Sequence, residues 1–152
     1  IAIIDFDVHH GNGTQEIFYK DETIAYGSIH EFPLFPGTGS EEETGVGNIY
    51  NAPIKAGLDS KNFIKIFENR VLKFIDRFKP EIILISAGFD AHTRDPLANI
   101  NLESNDFYEI TKMIVQISNI HCNGRVISFL EGGYDLIALS ESIKEHLRAL
   151  KS

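Results

Sequence analysis

Apolar positions recur along the chain with two different spacings, and the alternation between them predicts an α/β fold. Continuous apolar runs predict five strands, at 1–6, 23–29, 48–54, 81–86 and 125–130. Apolar residues three or four positions apart predict helices at 14–20, 60–78, 104–120 and 135–150, the second capped by Asp59 and Ser60 and ended by Pro80. Strands that alternate with helices form a parallel sheet flanked by helices.

Composition limits the classes of partner and location. The 152 residues are 43% hydrophobic, which predicts one domain over 1–152. A net charge of −8 offers no attraction for phosphate backbones or anionic lipids, so we expect no direct nucleic-acid or membrane partner. A lone cysteine, Cys122, excludes an internal disulfide, and no apolar run is long enough to cross a membrane. These features favour the cytoplasm, or the nucleus in a eukaryotic cell.

Metal-ligating residue types gather directly after two predicted strands. The spacing by two residues predicts that Asp5, Asp7 and His9 share one side of the chain, and Asp90 follows the fourth strand. The carboxyl ends of parallel strands meet at one rim, where ligands bind. Asp7, His9 and Asp90 can therefore hold a divalent metal and leave a coordination position open, as catalytic sites do. The alternative is that these carboxylates cap helices or face water.

Other polar residues are open to two interpretations. Gly132 and Gly133 permit a sharp turn that can aim the Tyr134 hydroxyl at a substrate carbonyl, although packing beside the helix cap Asp135 is the commoner fate of such a tyrosine. The loop at 30–47, rich in Pro and Gly, is long enough to suggest a function. His30 stays ambiguous, and the two helical histidines are expected to be surface or packing residues: His121 and His146.

Four segments, in this order, resemble the zinc-dependent histone deacetylase family. They are 5–14 (DFDVHHGNGT), 35–39 (FPGTG), 86–95 (SAGFDAHTRD) and 130–135 (LEGGYD). The match extends over nearly the whole chain, and the forms are similar to the class II and the bacterial or archaeal branches. The resemblance implies an arginase/deacetylase-like fold and hydrolysis of acyl amides, acetyl-lysine in proteins above all.

The resemblance also implies roles for individual residues. The zinc ligands would be Asp7, His9 and Asp90, and Tyr134 would hydrogen-bond the scissile carbonyl. Asp5 and Asn12 match residues that support catalytic histidines. Residues that would line the path of the acyl-lysine are Phe35, Leu97, Gly132 and Gly133, and residues that would hold a potassium ion are Asp5, Asp7, His9, Ser28 and Ile29.

One family feature is absent. The tandem His-His pair that supplies the general base and acid lies upstream of the first zinc motif in the family, and His9-His10 is not that pair. The chain also opens at Ile1, directly in a strand. We therefore expect the carboxyl-terminal portion of a single deacetylase catalytic domain, with a sheet incomplete on its amino-terminal side and little or no activity by itself.

The same residues permit three rival interpretations. An arginase-like binuclear manganese hydrolase would need carboxylates two residues after His9 and after Asp90, where the chain has Gly11 and His92. A hydrolase of acetylpolyamines or small metabolites is disfavoured by apolar Leu97, where polyamine-selective relatives carry an acidic residue. A non-catalytic module that binds acyl-lysine is disfavoured because the ligand residues and Tyr134 are all present.

Overall fold

The computed structural model of the protein describes all residues from Ile1 to Ser152 and contains one parallel five-stranded sheet. Its strands are β1 (Ala2–Asp5), β2 (Ala25–Glu31), β3 (Ile49–Ile54), β4 (Ile83–Ala87) and β5 (Val126–Leu130). Their order across the sheet is β3-β2-β1-β4-β5, and every neighbouring pair is parallel. The predicted α/β class and all five strands are confirmed, with shifts of up to two residues at the ends.

Helices follow the strands in the predicted order. They are α1 (Asn12–Phe18), α2 (Ser60–Ile66), α3 (Lys73–Phe78), α4 (Ser104–His121) and α5 (Leu136–Leu150). Asp59 caps α2 by accepting a hydrogen bond from the Asn62 backbone N–H at 2.8 Å. The single helix predicted at 60–78 is interrupted by a π-helical segment, Phe67–Leu72. Apolar spacing alone does not reveal such a segment, because the four-residue spacing of the buried Phe67 and Val71 is compatible with either type of helix.

The two faces of the sheet are covered unequally. Helices α2 to α5 pack on one face around 24 buried residues, among them Phe67, Ile85 and Phe107. The second face carries only four buried apolar residues: Ile3, Ile24, Tyr26 and Ile49. The main core therefore lies on the first face.

The strand order reverses direction between β1 and β4. From β1 the chain proceeds outward to β2 and β3, then crosses back to β4 and continues to β5 on the other side. A crevice forms beyond the carboxyl ends of two strands at such a reversal, and ligands of open parallel sheets bind there. Separately, no helix combines the length and apolar character needed to span a bilayer.

Candidate active site

Three ligand-type side chains meet where β1 and β4 end. Asp7, His9 and Asp90 each offer one atom, and these atoms all lie within 4.8 Å of one another. The His9 Nδ1 atom is 3.0 Å from Asp90 Oδ2 and 3.2 Å from Asp7 Oδ1. Ligand atoms placed tetrahedrally about 2 Å from a zinc ion are roughly 3.3 Å apart. The observed spacing therefore fits a shared ion.

Backbone donors hold the two carboxylates in place. Asp90 Oδ1 accepts the Val8 N–H at 2.9 Å, and Asp7 Oδ2 accepts the Gly132 N–H at 2.8 Å. These bonds join the ends of β1, β4 and β5, and they leave the remaining oxygens directed at His9. Supporting bonds of this kind fix the orientation of metal ligands.

The electrostatics of this group favour a positive charge between the carboxylates. Hydrogen bonds to Asp7 and then to Asp90 raise the pKa of His9 to about 10. Burial raises the pKa of Asp90 to about 6. Burial also raises the pKa of Asp7, but hydrogen bonds from His9 and Gly132 outweigh it and leave that pKa below its ordinary value. The carboxylates that stabilise a proton on His9 would stabilise a metal cation beside neutral His9 in the same way.

Two glycines allow the backbone to approach the carboxylates. A Cβ atom at Gly88 would overlap Asp7 Oδ2, and one at Gly132 would overlap Asp90 Oδ2 and lie 2.6 Å from Asp7 Oδ2. Both positions therefore need hydrogen in place of a side chain. Gly132, expected to contact substrate, contributes its backbone N–H to Asp7 and lines the adjoining cavity.

A cavity of about 770 Å³ opens beside the ligand group. The side chains of Phe35, Leu97 and Tyr134 line it, each more than half exposed. Asp5, Asp7 and His9 also line it. Its volume is that of a pocket for a small molecule or a single side chain. The structure thus brings the predicted apolar walls, the tyrosine and the ligand group to one place.

Burial and nearby carboxylates keep the Tyr134 hydroxyl protonated. Burial raises the pKa of Tyr134 above its ordinary value, and the charges of Asp90, Asp7 and Asp95 raise it further. A protonated phenol is a hydrogen-bond donor at neutral pH. Tyr134 can therefore donate to an acceptor in the cavity.

Of the residues predicted to act in catalysis or substrate binding, two lie outside this cavity. Asn12 begins α1 and lines a separate cavity beside Gln15 and Tyr19. Gly133 has φ of +139° and lies against Leu139 and Phe89. Gly133 permits the backbone conformation of the turn, because a positive φ in this range favours glycine.

Three of the residues expected to hold potassium are buried on β1 and β2: Asp5, Ser28 and Ile29. Asp5 ends β1, is buried, and accepts hydrogen bonds from the Tyr26 hydroxyl at 2.8 Å and the Asp7 N–H at 3.1 Å. Asp5 borders the same cavity as Asp7 and His9, although the strand itself ends at Asp5. Ser28 and Ile29 are buried on β2, next to Asp5 in the sheet.

His30 and His10 anchor the loop that carries Phe35. His30 Nε2 donates to the Gly39 carbonyl at 2.9 Å, and His10 Nδ1 is 2.8 Å from Thr38 Oγ1. The two rings are 4.7 Å apart, with Gly39 packed against both. Burial lowers the pKa of His30 to about 4, so this ring is neutral. The ambiguous histidine is thus a buried anchor of the loop.

The two helical histidines lie away from the cavity, as predicted. His121 pairs with Asp76 at 2.8 Å near the surface. His146 is buried, with Nδ1 2.7 Å from Thr111 Oγ1 and Nε2 2.8 Å from Ser128 Oγ. Because the Thr111 hydroxyl donates to the Phe107 carbonyl, His146 Nδ1 is the donor to Thr111 and Nε2 accepts from Ser128.

Two residues with structural roles at the site were not singled out from the sequence. In the sequence His10 stands out only as a neighbour of His9, and Asp95 only as the last residue of a motif. The Asp95 carboxylate accepts the backbone N–H groups of Leu97 and Tyr134, both of which line the cavity. A buried aspartate followed by proline is a weak signal for such a role, because its partners are backbone groups distant in sequence.

Comparisons with known proteins agree on one family. Residues 1–150 match the family model described as "Histone deacetylase domain". The chain is 43% identical to histone deacetylase 14, chloroplastic, of Arabidopsis thaliana over 99% of its own length and 36% of that protein. It is 39% identical to a probable deacetylase of Archaeoglobus fulgidus, over 90% of the chain and 39% of that protein.

Solved structures agree with the sequence matches. The crystal structure of the HDA15 HD domain superposes with a TM-score of 0.91 at 36% identity, over 98% of this chain and 43% of that one. An acetylpolyamine aminohydrolase from Burkholderia pseudomallei gives 0.89 at 27% identity, over 99% of this chain and 44% of that one. The chain thus spans between a third and a half of the length of these relatives.

Proposed function

Because the chain belongs to the histone deacetylase family, we propose that it is the carboxyl-terminal part of a catalytic domain that hydrolyses acyl amides with zinc. The observation that carries this proposal is the convergence of Asp7, His9 and Asp90 within 4.8 Å beside a cavity lined by Tyr134. One nitrogen and two carboxylate oxygens match the ligand set of a catalytic zinc site with an open position. The preferred substrate is an acetylated lysine side chain.

Some residues of this chain would bind the ion, and Tyr134 would contact the substrate. Asp7, His9 and Asp90 would bind zinc, which when bound polarises an amide carbonyl and lowers the pKa of the attacking water. Tyr134 would donate a hydrogen bond to the carbonyl oxygen as negative charge develops there. Proton transfer to the leaving amine is assigned to histidines outside this chain, so we propose that the chain alone has little or no activity.

The walls of the cavity support an acyl-lysine substrate. Phe35 and Leu97 present apolar side chains that can pack along the methylene stem of a lysine. An acetylpolyamine carries a second ammonium group, which an apolar residue such as Leu97 does not stabilise. Small acylated amines remain the second class of substrate, because a relative in structure is an acetylpolyamine aminohydrolase.

A monovalent cation is proposed behind the zinc site. The Ser28 hydroxyl donates to His30 Nδ1 at 2.8 Å, so its oxygen lone pairs are free to coordinate. Asp5, Asp7, His9 and Ile29 would complete a potassium site with side-chain or backbone oxygens. The proposed location of the protein is the cytoplasm, or the nucleus if the source is eukaryotic.

The test is hydrolysis of an acetyl-lysine peptide by the longer zinc-loaded protein that carries this chain, with and without a chelator. We expect turnover that the chelator abolishes and zinc restores. Chelator-resistant turnover would contradict a metal hydrolase. No turnover with zinc bound would instead favour a module that binds acyl-lysine without cleaving it.

A further inference from the structure

Phe35 and Leu97 line the cavity from two loops that are far apart in sequence. Phe35 is 78% exposed and Leu97 52% exposed, so both lie on the solvent side of the cavity, whereas Asp7 is buried. Their neighbours Leu34 and Ala98 pack against the main core. The opening of the cavity therefore depends on how these two loops are held relative to one another.

One carboxylate joins the bases of the two loops. Glu31, the last residue of β2, stands four residues before Phe35, and Asn99 stands two residues after Leu97. Glu31 Oε2 accepts the Asn99 backbone N–H at 2.8 Å, and Oε1 accepts the Asn99 side-chain amide at 2.9 Å. Two bonds to one residue fix its orientation as well as its distance. We call this pair the Glu31–Asn99 clamp.

The clamp satisfies a carboxylate that has no other side-chain partner. Glu31 is 4% exposed, and no salt bridge reaches it. A buried carboxylate that loses a hydrogen bond keeps the full cost of its desolvation. Because both oxygens of Glu31 are bonded to Asn99, a movement of Asn99 away from β2 would leave a buried charge without donors. The clamp therefore resists such a movement.

Both ends of the clamp are also held through their backbones. The Glu31 N–H donates to the Val8 carbonyl at 2.9 Å, and the Val8 N–H donates to Asp90 Oδ1 at 2.9 Å. The Asn99 carbonyl accepts the Gly57 N–H at 2.6 Å. The clamp thus relates the two exposed walls to the chain segment that carries the ligand group.

We propose that Glu31 is a positioning residue that sets the spacing of Phe35 and Leu97, and thereby the length of side-chain stem that the cavity accepts. This inference rests on the proposed function, since it names the feature of that site that selects the substrate. Walls held at a fixed distance from the ligand group place the carbonyl of one stem length at Tyr134. An apolar pocket distinguishes stems that differ by one methylene by about 10- to 200-fold in kcat/KM, and looser walls would lower that ratio.

The experiment compares an acetyl-lysine peptide with an acetyl-ornithine peptide, whose stem is one methylene shorter, as substrates of the longer zinc-loaded protein. Glu31→Gln places an amide NH2 against one of the two Asn99 donors and breaks one bond. Adding Asn99→Asp restores both bonds, because the new glutamine amide donates to the new aspartate and its carbonyl accepts the backbone N–H. We expect Glu31→Gln to lower the lysine-to-ornithine ratio of kcat/KM at least about fivefold, and the double substitution to return it to within about twofold.

The ratio separates positioning from a loss of stability. A fall in the fraction of folded protein lowers both rates equally and leaves the ratio unchanged, and zinc content should be the same in all variants. Glu41→Gln is the matched control, because it alters an exposed carboxylate of the same loop that pairs with Arg70, and it should not change the ratio. If Glu31→Gln fails to fold, Asn99→Ala, which removes only an exposed side chain, replaces it and should lower the ratio.

Each other outcome has a definite meaning. An unchanged ratio in Glu31→Gln, or no recovery in the double substitution, would overturn the proposal for Glu31 and leave the proposed function intact. If the unsubstituted protein hydrolyses neither peptide, the proposed function fails, and the ratio of Kd values for the same two peptides decides the role of Glu31. Binding of neither peptide would overturn both proposals.

Discussion

The Asp95 carboxylate joins the two walls of the cavity, because Oδ2 accepts the Tyr134 backbone N–H at 2.8 Å while Oδ1 accepts the Leu97 N–H at 2.9 Å. Asp95 is buried and has no cationic partner. Its negative charge is therefore held by backbone dipoles, and the Tyr134 backbone is fixed relative to Leu97. This arrangement positions the hydroxyl proposed to contact the substrate carbonyl.

The first prediction concerns the effect of Asp95 on the position of Tyr134. Asp95→Asn keeps the size but places an amide NH2 against one of the two N–H groups, so the Tyr134 backbone should shift. A displacement of this kind should lower kcat by about 10- to 100-fold with zinc content unchanged. Asp135→Asn is the matched control, because Asn caps helices as well as Asp, and it should be neutral.

A double substitution separates positioning from general destabilisation. If Asp95 acts through Tyr134, Asp95→Asn should have little further effect on kcat in a Tyr134→Phe background. Multiplicative losses in kcat would show that Asp95 acts independently of Tyr134.

The second prediction concerns the Tyr134 hydroxyl. Tyr134→Phe removes only the donor, so zinc should stay bound while turnover falls by about 100- to 1000-fold. Metal analysis and steady-state kinetics of the longer protein measure both. Unchanged turnover would remove Tyr134 from the mechanism.

The third prediction concerns metal binding. Asp90→Asn replaces a carboxylate oxygen that lies 3.0 Å from His9 Nδ1 with a neutral amide, and zinc should be lost at ordinary concentrations. Asp76→Asn, which alters an exposed carboxylate paired with His121, is the control and should retain zinc. Full zinc occupancy in the Asp90 variant would refute the ligand assignment.

The sequence predicted the residues that form this site better than the residues that hold them in position. Asp7, His9, Asp90 and Tyr134 follow strand ends, and a parallel sheet brings strand ends together whatever the details of packing. The role of Asp95 depends on a hydrogen bond from the backbone N–H of residue 134, 39 positions away, which any residue except proline would offer. The identity of the side chain at 134 therefore does not indicate that its backbone N–H bonds Asp95.

The limits of prediction are similar for the fold. Strand and helix order follow from apolar spacing, and that order was confirmed. The π-helical segment Phe67–Leu72 depends on how Phe67 and Val71 pack against the sheet, which is a tertiary effect. The end of β1 at Asp5, one residue before the predicted end, likewise depends on pairing partners that the sequence pattern does not reveal.

The fourth prediction concerns Gly132, where the backbone just beyond the end of β5 approaches the two carboxylates closely. Gly132→Ala would place a methyl group against both carboxylates, so zinc affinity should fall and the free energy of unfolding should decrease by about 1–3 kcal/mol. Gly13→Ala on α1 is the control, because nothing lies within 4 Å of its added methyl group. That change should stabilise the protein by about 0.5–1 kcal/mol. Equal effects of the two substitutions would contradict the packing described.

The fifth prediction concerns pH. Burial lowers the pKa of His146 from 6.5 to about 4. Between these values the unfolded chain binds more protons at His146 than the folded one, so the contribution of His146 to the free energy of unfolding should decrease as pH falls, by about 3 kcal/mol in total. Denaturant titrations from pH 7 to pH 4 measure the loss. His30, whose pKa burial also lowers to about 4, adds to it over the same window. His146→Gln should therefore reduce the loss without abolishing it, and parallel curves for the two proteins would exclude His146 as a source.

The absence of a side chain at Gly88 has a consequence for how this sequence can drift over evolutionary time. A Cβ atom at position 88 would overlap the Asp7 carboxylate and would also lie 2.5 Å from the Asp7 Cα atom. Because every residue at position 7 keeps that backbone atom, no substitution of Asp7 makes room for a side chain at 88. Variants that survive selection should therefore keep glycine at 88 whatever residue stands at 7, so the two positions should not covary.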